Sequence, residues 1–112
     1  MKRAMLADSL DRRLQMGRII AKEIQDKKTV ILAGDFNLQP DTDTVKLITK
    51  HLTSVFGSSL ISTFNMKRKT NPGYATAAVD MVFVSTDIRV LSAKCPQVEI
   101  SDHLPLVCEL EL

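Results

Sequence analysis

The sequence predicts an α/β fold, and three of its features carry that prediction. A helical stripe of apolar residues runs directly into a short apolar segment, a second apolar segment begins at Val79, and the C-terminus alternates apolar with polar residues. A length of 112 residues, 45% of them hydrophobic and 25% charged, with only 4 Gly and 4 Pro, supplies one ordinary globular domain. Disordered, collagenous and repeat architectures are excluded on that composition.

From Asp8 to about Asp26, Leu10, Leu14, Gly17, Ala21 and Ile24 recur at spacings of three and four, which puts them on one helical face. Arg12, Arg13, Arg18, Lys22 and Glu23 lie mostly off that face, as on a helix laid against something larger. Thr29 to Ala33 is apolar and partly β-branched, which predicts a strand buried on both faces. Helix followed by buried strand is α/β layering. Gly34 to Pro40 forms a loop, and Asp41-Thr42-Asp43 offers N-caps to a second helix ending near Leu52. Thr53 to Ala78, rich in Ser, Thr, Asn, Gly and Lys, reads as a long surface loop. Val79 to Val84 is a second buried strand, and Ser85-Thr86-Asp87 predicts a hairpin turn into a third strand over Ile88 to Ala93. Leu106, Cys108, Leu110 and Leu112 then alternate with Val107, Glu109 and Glu111, the pattern of a strand with one face in the core.

Charge names no partner: 15 basic and 13 acidic residues leave a net charge of +2, too slight to define an electrostatic binder of nucleic acid or membrane. No apolar run approaches the roughly 20 residues of a membrane helix, and the N-terminus lacks the apolar stretch of a secretory signal. A soluble chain without a membrane segment is expected. Cys95 and Cys108 belong to no CxxC or Cys/His cluster, so neither a disulfide framework nor a zinc site is indicated and a reducing, cytoplasmic compartment is the default.

Three polar positions interrupt apolar strands or their ends. Asp35 follows Gly34 at the C-terminal end of a strand, where open α/β sheets present ligand-binding groups. Asn37, two residues on, adds an amide able to donate to a phosphate oxygen or to hold a water. Taken alone, Asp35-Phe36-Asn37 is more often the signature of an Asx-turn closing the strand. Asp80 lies inside an apolar strand, and a carboxylate desolvated there needs a partner. Ser101-Asp102-His103 supplies one, because an imidazole N–H given to such a carboxylate fixes the tautomer and stabilises the imidazolium. The same tripeptide also fits a capped turn at the entry of the last strand.

As a set, Gly34-Asp35-Phe36-Asn37, Val79-Asp80-Met81-Val82-Phe83-Val84-Ser85 and Ser101-Asp102-His103-Leu104-Pro105-Leu106 resemble the C-terminal half of the endonuclease/exonuclease/phosphatase superfamily, with its pancreatic deoxyribonuclease-like fold. Arg13 and Gln15 look like the Arg and Gln that often precede the family's Gly-Asp-Phe-Asn strand. The resemblance implies the C-terminal half of a four-layer α/β/β/α sandwich: a mostly antiparallel sheet with two helices on one face. It also implies a hydrolase of phosphodiesters or phosphomonoesters that uses Mg2+ or Mn2+ and in-line attack by water. In that scheme Asp35, Asn37 and Asp102 act at or near the metal, Asp35 positions or deprotonates the water, Asp80 orients His103, and His103 stabilises charge on the scissile phosphate. Which residue is the base stays open. Nucleases, inositol-phosphate phosphatases, sphingomyelinases and deadenylases all belong to the superfamily, so the resemblance implies a phosphate-ester substrate, nucleic acid among the candidates. The absence of Trp argues against an extensive single-strand stacking surface.

The departures from the family carry expectations of their own. Family members resemble two α/β halves, the first supplying an Asn, a metal-binding Glu and a His or Tyr. Met1 stands where the family's Thr-His-Leu strand ends, and neither Glu23 nor Glu99 has a matching context. The chain is therefore expected to be a fragment that binds divalent metal weakly and is inactive or nearly so. One sheet face should be bare and prone to self-association. The alternative is a non-catalytic module that binds a partner, or itself, through that face. Lys67-Arg68-Lys69, with Thr70, Asn71 and Tyr74, either grips substrate phosphates or is a solvated loop. His51, near the end of the second helix, is explained by the helix dipole, and the 5 Met residues are core filler.

Overall fold

The computed structural model describes residues 14–112. Helix α1 covers residues 14–24, and its expected beginning at Asp8, with Leu10, Arg12 and Arg13, lies outside the described residues. The remaining elements are β1 (Ile31–Asp35), α2 (Asp43–Thr49), β2 (Thr53–Ser54), β3 (Asp80–Val84), β4 (Arg89–Lys94) and β5 (Val107–Glu111). They form a three-stranded sheet in the order β1-β3-β2 and a two-stranded sheet of β4 and β5, antiparallel throughout.

Both helices lie on one face of the larger sheet. Ile24 from α1, Val45 and Ile48 from α2, Met81 and Phe83 from β3, and Phe36, Leu38 and Leu52 from the connections form one buried cluster, with Ile20, Val30 and Leu32 packed against it. Phe36 meets Phe83 edge to face, ring centroids 5.4 Å apart. The α1 stripe behaves as its spacing requires: Gly17 and Ile24 are buried, Leu14 and Ala21 half-buried. A Cβ on Gly17 would lie 2.8 Å from Thr44 Cγ2, so the missing side chain is what lets α1 approach α2. Thr42 caps α2, its hydroxyl accepting from Val45 N–H.

Three expectations are corrected. First, β1 is covered on one face only. Leu32 is half-buried, while Ile31, Ala33, Gly34 and Asp35 are exposed. A short apolar run reads alike for one covered face or two, and here β1 is an edge strand whose outer face has no layer over it among the described residues. Second, β3 and β4 form no hairpin. Both edges of β3 are taken by β1 and β2, and the turn after it is tied to the start of β1. Ser85 N–H donates to the Val30 carbonyl, the Ser85 hydroxyl accepts from Val30 N–H, and the Asp87 carboxylate accepts from the hydroxyls of Ser85 and Thr29. The chain thus leaves toward β5. Third, the segment 53–78 is not all loop: it contributes β2 and two short 3-10 helices, Met66–Arg68 and Pro72–Thr76, capped by Asn65 and Asn71 side chains. β5 alternates as expected, with Cys108 and Leu110 half-buried between exposed neighbours, although Leu112 lies beyond the strand and is exposed.

Candidate active site

The register of β1 against β3 brings the first two acidic residues together. Asp35 pairs with Asp80 across the antiparallel ladder, and directly opposed residues project to the same side of a sheet. Since Met81 and Phe83 point into the helix-covered core, alternation sends Asp80 to the opposite face. Asp35 goes with it. Gly34, Asp35, Asp80, Met81, Leu104 and Leu106 share the lining of an open depression of about 250 Å3 there.

His103 reaches this pair from the segment between β4 and β5. A bridge between Phe64 and His103 and the hydrogen bonds Asn65 N–H to Asp102 O (2.8 Å) and Leu104 N–H to Thr63 O (2.8 Å) hold residues 102–104 beside residues 63–65. The Asn65 side chain also donates to Ser101 O at 3.1 Å. His103 Nδ1 then lies 2.8 Å from Asp80 Oδ2. A carboxylate can only accept, so Nδ1 carries the proton. The other ring nitrogen, Nε2, stands 3.8 Å from Asp35 Oδ2, too far for a hydrogen bond and close enough for electrostatic attraction. The pKa of His103 is raised, first by its hydrogen bond to Asp80; burial, the next largest influence, opposes the rise, and the charges of Asp80, Asp35 and Asp102 add to it.

Asp35, Asp80 and His103 therefore converge, each offering a ligand atom within 4.8 Å of the others. Asn37 follows on the same loop: its N–H donates to Asp35 Oδ1 at 2.9 Å, an Asx-turn, and its backbone is left-handed at φ 55°, a conformation Asn tolerates better than most residues. The Asx-turn and the presentation of Asp35 are thus one arrangement, since the turn occupies Oδ1 and leaves Oδ2 toward His103. Asp102 is engaged otherwise. Its Oδ2 is 3.2 Å from Lys69 Nζ, and that hydrogen bond, with a second from Ser101, holds its pKa below the usual carboxylate value.

Several positioning groups carried no warning in the sequence. Thr63 Oγ1, fully buried, accepts from the N–H groups of Val79 (3.1 Å) and Asp80 (3.2 Å). Gln39 joins the loop after Asn37 to the entry of β3, accepting from Ala78 N–H and donating to Thr76 O. Both look like ordinary loop polar residues until the fold closes. The basic loop was visible as a charge run, and Lys69 is the one of its three residues paired with a candidate site residue, Asp102.

The model of the family described as Endonuclease/Exonuclease/phosphatase matches residues 3–103. Among solved structures, the chain is similar to an endonuclease/exonuclease/phosphatase from Bacteroides vulgatus, with 24% identity, a TM-score of 0.73, and coverage of 91% of this chain and 44% of that one. It is similar to a functionally unknown conserved protein from Enterococcus faecalis V583, with 23% identity, a TM-score of 0.71, and coverage of 91% and 45%. A mannosyl-6-phosphatase of Bacteroides thetaiotaomicron VPI-5482 gives 20% identity, a TM-score of 0.70, and coverage of 89% and 46%. These likenesses establish a shared fold, and the chain spans less than half the length of each of the three. No curated protein matches it. Among the described residues no helix is long and apolar enough to cross a membrane.

Proposed function

The chain belongs to the endonuclease/exonuclease/phosphatase family, and from that membership in a family of phosphoesterase-type hydrolases we propose that its site hydrolyses phosphate esters by in-line attack of water, assisted by a divalent cation. The observation that supports this best is the Asp80 to His103 Nδ1 contact at 2.8 Å, with Asp35 on the other side of the ring.

The donors fit a hard, partly hydrated cation such as Mg2+ or Mn2+, which takes one or two carboxylates and completes its shell with water and phosphate oxygens. Asp35 offers a half-exposed carboxylate and Asn37 an amide oxygen, while Asp102 offers a second carboxylate through the oxygen that Lys69 does not hold. Asp80 and His103 Nδ1 are spent on each other, so these two serve the reaction and not the ion. When bound, the cation supplies positive charge against the phosphate oxygens.

The chain's own residues do the rest. Asp80 keeps the Nδ1 proton in place and stabilises the imidazolium, which leaves Nε2–H to donate to a phosphoryl oxygen as negative charge gathers there. Asp35 Oδ2, facing the same space, accepts a hydrogen bond from the attacking water and orients it. Asn37 extends beside Asp35 on a loop anchored by buried Phe36 and Leu38, so its position is set by packing.

Assays of p-nitrophenyl phosphate and bis(p-nitrophenyl) phosphate with the chain and Mg2+ test this. Slow turnover is expected with two carboxylates as the charged ligands, abolished by chelation and depressed in both Asp80→Asn and His103→Ala. No hydrolysis by the native chain, or equal rates in all three proteins, overturns the proposal.

A further inference from the structure

Lys67, Arg68 and Lys69 are consecutive, and the fold treats them differently. Lys67 lies 4.0 Å from Glu99, with its side chain 77% exposed, whereas that of Lys69 is 20% exposed. Arg68 is exposed. Backbone geometry explains the difference: Asn65 caps the single turn Met66–Arg68, and the chain leaves it extended at Lys69, with φ −118° and ψ 136°.

Lys69 Nζ lies 3.2 Å from Asp102 Oδ2, 4.5 Å from the Tyr74 ring centroid and 5.1 Å from that of Phe64. An ammonium gives up water only where other groups replace it, and here a carboxylate and two aromatic rings do so. The Phe64 ring also packs on His103, centroids 4.6 Å apart. A permanent cation and the site's imidazole are thereby held against the same ring, while Asp102, next in sequence to His103, is the lysine's ionic partner. A lysine serving only as a surface ion pair is solvent-exposed, as Lys67 is, where such pairs contribute little.

We propose that Lys69 is a substrate-binding residue of this site and contacts a non-bridging oxygen of a phosphomonoester dianion beside His103, with Asp102 kept as its ionic partner. This rests on the phosphoesterase reading above. A phosphomonoester carries close to two negative charges at neutral pH and a diester one, so a second fixed cation favours the monoester. Three N–H donors let the ammonium keep Asp102 while adding a phosphate oxygen. The Tyr74 and Phe64 rings already restrict the lysine's long stem, which lowers the ordering cost of binding.

Inorganic phosphate and dimethyl phosphate, titrated into the chain with Mg2+ and followed by 31P NMR, test the assignment. The native chain should bind phosphate more tightly than dimethyl phosphate. Lys69→Met should weaken phosphate about tenfold, the scale of one charge-assisted hydrogen bond, and move dimethyl phosphate less; Lys69→Arg should recover most of the loss and Lys67→Met should match the native chain. Unchanged phosphate affinity in Lys69→Met while His103→Ala weakens it overturns the role of Lys69 alone. Equal losses in Lys67→Met and Lys69→Met overturn it as well. Failure of phosphate to bind the native chain at all overturns this assignment together with the phosphoesterase reading.

Discussion

Asp80 and His103, 23 residues apart in sequence, meet at 2.8 Å through Oδ2 and Nδ1, and that hydrogen bond is the largest cause of the raised His103 pKa. Asp80→Asn keeps an acceptor oxygen and removes the charge. His103 should then titrate closer to 6.5, its ordinary value, in NMR spectra of the ring carbons. Hydrolysis should fall by about 10²–10⁴-fold, the range for a disabled acid-base group. A His103 titration unaltered by the substitution would show that the carboxylate does not govern the imidazole.

The same pairing gives stability a definite pH dependence. Folding raises the His103 pKa above its unfolded value near 6.5. The resulting stabilisation is complete below that value and disappears as pH rises through the folded pKa. Screening at a partly exposed pair keeps it to at most about 1 kcal/mol. Asp102 and Asp87 are shifted the other way, Asp102 chiefly by Lys69 and Asp87 by Ser85 and Thr29. Their contributions are present above the usual carboxylate value and are lost as pH falls through the lowered ones. Urea midpoints for the native chain and His103→Gln should converge above the folded His103 pKa and separate below it.

The acidic positions were legible because each broke a pattern. Asp80 interrupted an apolar strand, so a partner had to exist, and His103 was the available imidazole near a strand end. Their union depends on register, which places Asp35 opposite Asp80 and which no single segment specifies. Lys69 was hidden for the opposite reason: three basic residues in a row look solvated, and only the turn at Met66–Arg68 distinguishes the third. Ser85-Thr86-Asp87 suggests a hairpin that the sheets do not form, because a turn signal says where a strand stops, not which edge is vacant. The apolar run of β1 suggests two covered faces where one is covered, because apolar content records hydrophobicity and not the number of layers.

Gly17 offers a packing test outside the site. Alanine is the better helix former by about 1 kcal/mol, so Gly17→Ala would stabilise an isolated helix. Here the added Cβ would meet Thr44 Cγ2 at 2.8 Å and the Thr44 carbonyl oxygen at 3.2 Å. Backbone cannot rotate aside as a side chain can, and overpacking of this kind costs about 1–3 kcal/mol. Chemical denaturation should show net destabilisation, partly relieved by Thr44→Ser, which removes the methyl contact. A more stable Gly17→Ala chain would mean that α1 and α2 lie further apart.

Thr63 joins stability to the site, and its two substitutions separate those contributions. Its hydroxyl oxygen accepts from Val79 and Asp80 N–H, its own N–H donates to Ala77 O, and its carbonyl accepts from Leu104 N–H. One buried residue thus fixes the start of β3 relative to the chain just after His103. Thr63→Val preserves the shape and strands the buried Val79 N–H, at about 1–3 kcal/mol, together with the part-buried Asp80 N–H, at a smaller cost. Thr63→Ser keeps the acceptor and loses a methyl group, for about 1 kcal/mol. The serine variant should retain the raised His103 pKa, because Asp80 keeps its backbone anchor. The valine variant should lose part of that shift along with stability. If both variants titrate at His103 like the native chain while only valine is destabilised, Thr63 supports the fold and does not position Asp80.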